Sequence, residues 1–529
     1  VPVKGLRGWH PSATGLPGPR LPGLGLAGLP GRGSLSPVSA GPARDAEPVL
    51  IAGMGASFGV SKQELRALLD IALNRLGLNA SAVTAIATVD SKAREQGLVE
   101  LAAELGVPLV LHSAAELAKV AVPHPSPVAQ AAVATPSVAE AAALLGVPGW
   151  RGEHPGAAAE LLVAKTASPR ATVAIAGHWQ ADLRHHGDAE LTGDLVDLAD
   201  FAVNVCTDPI PSWLSESIAA ACGQLGSYPD PRAATAAVAA RHGRPESEVL
   251  LTAGASEAFT LLAQGLSPGR AAVVHPQFTE PEVALRAAGW RIDRVLLDAA
   301  DWFALDPARI PDEATLVVIG NPTNPTGTLH RAQALLELRR PGRLVVVDEA
   351  FLDSVPEERE SLAGLDDLSG IVVVRSLTKI WGLAGLRIGY LLGDAGAIAA
   401  AAAVQPHWSV SSPALAAAVA CMGEQARPEA HRRAVAITKH RRALTGELSR
   451  RGFEVRADGA GPFVLARHPG RAGVHAELRA LGIAVRRADT FPGLGPGWIR
   501  IAVRDKAATR PLLAALDRAG LGALGGARR

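Results

Sequence analysis

Residues 370–390 read GIVVVRSLTKIWGLAGLRIGY. The β-branched run Ile371–Val374 has no polar face, so it reads as a strand buried on both sides, and a glycine-rich stretch with one lysine, Lys379, follows it. The lysine stands out because the chain strongly prefers arginine: no other lysine lies between Lys165 and Lys379, and only Lys439 and Lys506 come after. Arginine would serve a salt bridge or a phosphate equally well, but it cannot lose its proton and attack a carbonyl. A lysine here is therefore a candidate nucleophile.

Four further segments share this grammar: EVLLTAG (248–254), RAAVVHP (270–276), ATLVVIG (314–320) and GRLVVVDEA (342–350). Apolar on both faces and mostly separated by helical sequence, they predict a largely parallel sheet covered by helices, with ligands at the carboxyl ends of the strands. Those ends carry chemistry. In TAGASEAF, Gly254, Ala255 and Ser256 let backbone N–H groups approach an anion at a helix N-terminus, or simply make a tight turn. Asn324 in GNPTNPTG sits in a proline-stiffened loop that can aim its amide, and Asp348 in VVVDEAF is a carboxylate delivered from a buried strand, suited to a cationic ligand or to a structural ion pair. Ser376, Lys379 and Arg387 complete the set.

The chain has 529 residues, 48% hydrophobic and 19% charged, with net charge +1, which suits two or three folded domains and argues against nucleic acid as the main partner. Cys206, Cys222 and Cys421 are too few and too scattered for a disulfide framework or a thiolate metal site, so a cytoplasmic setting and no metal are expected. No apolar run reaches the ~18 residues of a membrane span. Residues 1–48 repeat glycine, proline and leucine without periodicity and read as a disordered tail rather than a signal peptide. From Val49 short strands alternate with alanine-rich amphipathic stretches. VLIAGMGASFG reads as a strand followed by a glycine turn, and AVTAIATVD, VPLVLHS and ATVAIAG as further strands. Ser61 with Glu64, Ser113 with Glu116, and Ser137 with Glu140 have capping-box spacing, which locates three helix starts.

Taken in order, the strand-end residues resemble pyridoxal-phosphate enzymes of the aspartate aminotransferase fold (fold type I), over about residues 182–521. The resemblance implies an imine link between Lys379 and the cofactor, and Asp348 on the pyridine nitrogen. It also implies Gly254, Ala255, Ser256, Ser376 and Arg387 around the cofactor phosphate, Asn324 on the ring's phenolic oxygen and Phe278 stacked on its face. Tyr228, in GSYPDP, matches a residue that reaches a neighbouring subunit's cofactor phosphate, which implies a homodimer through this half; a half-buried turn tyrosine is the other reading. Most aminotransferases have tyrosine where this chain has Phe351, so transamination need not be the reaction.

HHGD (185–188), DEAF and AVRRADTFPGLGPGWIRIA are similar to the threonine-phosphate decarboxylases of cobalamin synthesis, the CobC type, and the last also to histidinol-phosphate aminotransferases. The likeness implies an amino-acid phosphate substrate with Arg500 on its carboxylate, and Arg486, His186 and Gly187 near its phosphate. The implied reaction is loss of carbon dioxide from L-threonine O-3-phosphate to give aminopropanol O-2-phosphate; the alternative is a histidinol-phosphate-type aminotransferase whose N-terminal half is a non-catalytic corrinoid-binding or scaffold domain. GMGASFGVS, TVDSKAREQGL and TPSVAEAAAL resemble the CobE family, also found as the C-terminal domain of cobalt-precorrin-5A hydrolase (CbiG type). There Ser57, Thr88, Asp90, Lys92 and Glu95 fall at strand ends or loops where a corrin precursor's acidic side chains would be met, or where surface salt bridges would form. The expected division is a tail (1–48), a small α/β domain (49–177), a linker (178–185), the pyridoxal-phosphate domain (186–521) and a tail (522–529).

Overall fold

The computed structural model describes residues 49–75, 78–120, 122, 125–147, 160–178, 183–191, 198–469, 471, 473–495 and 497–522. The glycine/proline-rich stretch 1–48, part of the expected linker (179–182) and residues 523–529 lie outside them.

The first sheet comprises β1 (Val49–Ala56), β2 (Ala85–Val89), β3 (Leu109–His112), β4 (Glu160–Ala167) and β5 (Ala171–His178), in the order β3-β2-β1-β5-β4. β1, β2 and β3 are parallel, while β5 runs antiparallel to both β1 and β4. Alternation assigns the two faces. Leu50, Ala52, Met54, Ile86, Val173 and Ile175 join one core with Leu65, Leu69, Leu98 and Leu101, on the helices Lys62–Arg75 and Gln96–Leu105. Ile51, Ala85, Ala87, Ala174 and Ala176 meet the opposite helix, Val138–Gly146. That second face is built of small residues because the helix lies very close: a Cβ on Gly53 would come within 2.0 Å of the Ala139 carbonyl oxygen. Of the glycines expected in the turn after the strand, Gly53 and Gly55 are thus inside the strand, while Gly59, at φ +70°, lies in the turn that follows Ala56.

The three helix starts fall where the capping spacing puts them, yet only Ser113 and Glu116 close the reciprocal box. Ser61 accepts the Glu64 N–H, but the Glu64 carboxylate receives Ser168 Oγ and the Arg170 N–H instead.

The second half opens with β6 (Ala199–Phe201), followed by the seven strands of a central sheet. These are β7 (Val249–Thr252), β8 (Arg270–His275), β9 (Arg291–Leu296), β10 (Leu316–Gly320), β11 (Leu344–Asp348), β12 (Ile371–Ser376) and β13 (Gly389–Gly393), in the order β7-β13-β12-β11-β10-β8-β9. β8 to β12 are mutually parallel, and β13 runs against both β12 and β7. Val317, Val345, Val347 and Val373 face one core while Val318, Val346, Val372 and Val374 face the other, which is why these strands read as continuous apolar runs.

A third sheet has the order β14-β15-β17-β16-β6, with β14 (Glu454–Val455), β15 (Phe463–Arg467), β16 (Ile483–Arg487) and β17 (Trp498–Ala502). β6 joins it parallel to β16, so a segment near the start of this half completes a sheet built from its end. No helix among the described residues is long and apolar enough to cross a membrane.

Candidate active site

β10, β11 and β12 are adjacent, so their carboxyl ends bring Asn324, Asp348, Ser376 and Lys379 to one edge of the sheet. The Asn321 N–H donates to the Asp348 carbonyl at 2.8 Å, tying the asparagine loop to the end of β11, and the Ala350 N–H donates to Asp348 Oδ1 at 3.0 Å.

Asp348 is buried and Lys379 half-buried, and both are pushed toward neutrality. Burial raises the Asp348 carboxyl to about 6, against the Ala350 N–H and the Lys379 charge. Burial, then Arg387 and Arg500, bring the Lys379 amine down to about 8. No ion pair joins the two among the described residues. Lys379 Nζ lies 5.6 Å from the centroid of Phe351, whose ring meets Phe463 edge-on at 5.0 Å, and Arg500 Cζ lies 5.8 Å from Phe463. A narrow cleft with room for only about 10 Å³ opens beside Lys379, Phe351, Asp353 and Cys206. A larger depression of about 620 Å³, lined by Arg339, Arg340 and Arg343, borders the first residue of β11 and so lies at the opposite ends of the strands. The shifted amine and carboxyl mark the carboxyl ends as the site of chemistry.

At the turn after β7, Gly254 has φ +82°, and a Cβ there would meet Arg387 Nη2 at 2.6 Å. Arg387, itself at φ +55°, therefore lies over the N-terminus of the helix Ala255–Gly265, with Ser256 in its first turn. Ser376 Oγ, at the end of β12, is 2.8 Å from Thr378 Oγ1 two residues later. A helix N-terminus crossed by an exposed guanidinium suits a phosphate.

Arg500, on β17, is buried. Its Nη1 donates to Asn324 Oδ1 at 2.6 Å and its Nη2 to the Ala202 carbonyl at 2.5 Å. With the Asn204 amide turned so that its oxygen faces the guanidinium, Nη1 and Nε donate to it at 3.0 and 3.1 Å. All these acceptors are neutral, and no carboxylate pairs with Arg500 among the described residues. Burial and the neighbouring Arg486 hold its pKa well below the usual guanidinium range. A buried cation without a counter-ion is completed by an anionic ligand. Gly187 fits beside it because a Cβ would come within 2.5 Å of the Ala202 carbonyl oxygen and 3.3 Å of Arg500 Nη2.

Arg486 has a more structural setting than the sequence suggests. Its Nη2 donates to the His185 carbonyl at 2.6 Å, its Nη1 to the Arg487 carbonyl at 2.7 Å, and its guanidinium packs on Phe491. The buried Glu190 explains this, since it receives His185 and His475 at 3.0 and 2.9 Å and pins the HHGD segment against β16. Burial opposes ionisation of Glu190, yet these hydrogen bonds hold its carboxyl far below the ordinary value. His186 Nε2 lies 2.7 Å from Glu280 Oε1, and its ring is 5.6 Å from Phe278. Tyr228 is 76% exposed and stacks on Trp408 at 4.2 Å. Asn204, Glu190, Glu280 and Phe463 are the residues that sequence reasoning missed.

In the first half the expected polar cluster is largely spent on the fold. Thr88 is fully buried within β2 and donates to the Met54 carbonyl, and the buried Glu95 accepts the Gly59 N–H at 2.6 Å and pairs with Lys92 at 3.3 Å. The Ser57 N–H donates to the Arg170 carbonyl. Asp90 remains exposed at the end of β2.

Residues 196–516 match the family Aminotransferase class I and II, and residues 50–176 match Cobalamin synthesis G C-terminus. A Mycobacterium tuberculosis protein named histidinol-phosphate aminotransferase is 48% identical over 327 residues, covering 61% of this chain and 88% of its own. The Salmonella typhimurium threonine-phosphate decarboxylase is 30% identical over 341 residues, covering 60% of this chain and 90% of its own. The histidinol-phosphate aminotransferase structure from Clostridium acetobutylicum superposes with a TM-score of 0.56 at 25% identity, over 61% of this chain and 99% of that one. The chain belongs to the class I and II aminotransferase family. It is a pyridoxal-phosphate-dependent enzyme of that family carrying an N-terminal segment of the cobalamin-synthesis type. The residues present fit the cofactor: a half-buried amine of lowered pKa, a buried carboxyl with no counter-ion among the described residues, and an arginine over a helix N-terminus.

Proposed function

We propose that the chain decarboxylates L-threonine O-3-phosphate to aminopropanol O-2-phosphate during cobalamin biosynthesis. The observation that carries the reading is the fusion: the segment matching a cobalamin-synthesis family lies in the same chain as the pyridoxal-phosphate fold. When bound, pyridoxal phosphate supplies the electron-accepting ring. In this reading Lys379 anchors the cofactor and later holds the proton for Cα, while Asp348 keeps the ring nitrogen protonated. Gly254, Ala255, Ser256, Ser376 and Arg387 hold the cofactor phosphate, and Phe278 covers the ring. The carbonyl end of Asn324 is taken by Arg500, so its amide nitrogen is the donor for the phenolic oxygen. Phe351 offers that oxygen no second donor. Arg500 takes the substrate carboxylate, and His186, Gly187 and Arg486 border its phosphate. Orientation of the carboxylate by Arg500 decides which bond at Cα breaks.

The exposed, stacked Tyr228 and Trp408 support a homodimer in which Tyr228 reaches the second copy's cofactor phosphate. For residues 50–176 we infer corrin-precursor binding without independent hydrolysis, tested by the absorbance change of a tetrapyrrole titrated with the full chain. The name of the Mycobacterium tuberculosis relative favours a second reading, histidinol-phosphate aminotransfer, with the same cofactor residues and a different bond broken. Carbon dioxide release from threonine phosphate, with no 2-oxoglutarate present, supports the first reading.

A further inference from the structure

Between the two sheets of the second half, residues 183–190 form a strap held from both sides. On the small-sheet side Glu190 receives His185, His475 and the Arg487 N–H, and Arg486 donates to the His185 carbonyl. On the central-sheet side the holding groups come from the segment after β8, which carries Phe278. Thr279 Oγ1 donates to the Leu183 carbonyl at 2.6 Å, and Glu280 Oε1 meets His186 Nε2 at 2.7 Å. The side chains of His186 and Glu280 are 36% and 25% exposed, so the pair faces an accessible space rather than a sealed core.

We propose that Glu280 is a positioning residue for the phosphate of the substrate: by accepting a hydrogen bond from Nε2–H of His186 it fixes the ring so that, in the doubly protonated imidazolium, Nδ1–H is the donor offered to a phosphate oxygen. This rests on the functional reading only in requiring a phosphorylated substrate, whichever bond is broken. A histidine with one ring nitrogen held by a carboxylate has its orientation and proton placement set by that partner. The Glu280 carboxyl is held below its ordinary value, first by the His186 hydrogen bond and further by the charges of His186 and Arg184, and burial opposes the shift. It therefore acts on His186 as an anion. A carboxylate facing a phosphate subsite would repel the ligand unless spent on a cation, and its hydrogen bond to His186 spends it. The arrangement also couples the two supports of the strap: Thr279 and Glu280 are consecutive, so any shift of the Phe278 segment is felt at Leu183 and His186 together.

The test uses the cofactor-loaded full chain and reads ligand binding through the cofactor's visible absorbance. The ligands are L-threonine O-3-phosphate, unphosphorylated L-threonine, and histidinol phosphate, which lacks a carboxylate. Glu280→Gln should weaken both phosphorylated ligands roughly tenfold, the scale of one charge-assisted hydrogen bond, and leave L-threonine within twofold. Glu280→Asp, which keeps an anion on a shorter stem, should recover part of the loss. In a His186→Ala background the Glu280→Gln change should have no further effect, because the ring it positions is gone. Turnover, where it is observed, should show a raised KM with kcat little changed. Equal weakening of all three ligands, unchanged binding, or full additivity of the two substitutions would overturn the proposal. Selective loss of phosphate binding in a protein that releases no carbon dioxide would uphold the role of Glu280 while sinking the decarboxylase reading.

Discussion

Asp348→Asn should make the cofactor-free protein more stable at neutral pH. Burial raises the Asp348 carboxyl from 3.8 to about 6, a shift of about 2 units, and each unit corresponds to about 1.36 kcal/mol. The folded protein holds this proton more tightly than the unfolded chain does. Below about pH 4 both states are protonated and the group costs nothing; between about 4 and 6 stability falls as pH rises; above about 6 the full cost, roughly 3 kcal/mol, is present. Asparagine keeps the shape and the acceptor for the Ala350 N–H without the charge. The stability of the variant relative to wild type should therefore climb through this window and then level off. Comparing the two proteins cancels other titrating groups such as Asp353, also raised to about 6 by burial. Denaturant unfolding at pH 4.5 and 7.5, followed by tryptophan fluorescence, reads the correct half, since Trp381 and Trp498 are buried there. Pyridoxal phosphate brings the missing positive partner, so it should stabilise wild type more than the variant above pH 6. Parallel stabilities at all pH values would refute the placement of Asp348 as a buried, unpaired carboxyl.

Three further outcomes follow from the same site. Borohydride treatment of the loaded protein should fix the cofactor to the peptide containing Lys379, and Lys379→Ala should abolish that labelling; a label on Lys439 or Lys506 would contradict the site. Phe351→Tyr should add a donor near the ring oxygen and lower the midpoint of the cofactor's visible pH titration by about 1–2 units, the equivalent of one charge-assisted hydrogen bond. An unmoved midpoint in that titration would mean that Phe351 does not face the oxygen. Arg500→Lys should weaken threonine phosphate roughly 100-fold, because a point charge replaces a fork, and leave aminopropanol phosphate nearly unchanged; isothermal titration reads both.

The central sheet was legible because strands buried on both faces are written in consecutive β-branched residues: Val345, Val346 and Val347 need no alternation to declare themselves. β13 was not singled out, since it begins and ends in glycine and pairs with strands distant in the chain. β6 has three residues, too short for any period, and is specified by its pairing with β16, nearly 300 residues later. In the first sheet Gly53 and Gly55 carried a turn signal, but Gly53 is small to admit the neighbouring helix and Gly55 to admit the Thr172 side chain of β5, neighbours that only the fold reveals. The candidate site was legible where residue type limits chemistry, as with a lysine among arginines. Glu190, Asn204 and Glu280 escaped because their significance lies in partners such as His475, Arg500 and His186, and sequence displays no such pairings.

The most direct measurement supplies carboxyl-labelled L-threonine O-3-phosphate to the loaded protein and, in parallel, histidinol phosphate with 2-oxoglutarate. The Lys379→Ala variant is the control in both. Labelled carbon dioxide should appear in step with aminopropanol phosphate, without 2-oxoglutarate, and neither product should come from the variant. Glutamate formed from the second mixture, with the label in the first remaining in threonine phosphate, would contradict the decarboxylase reading.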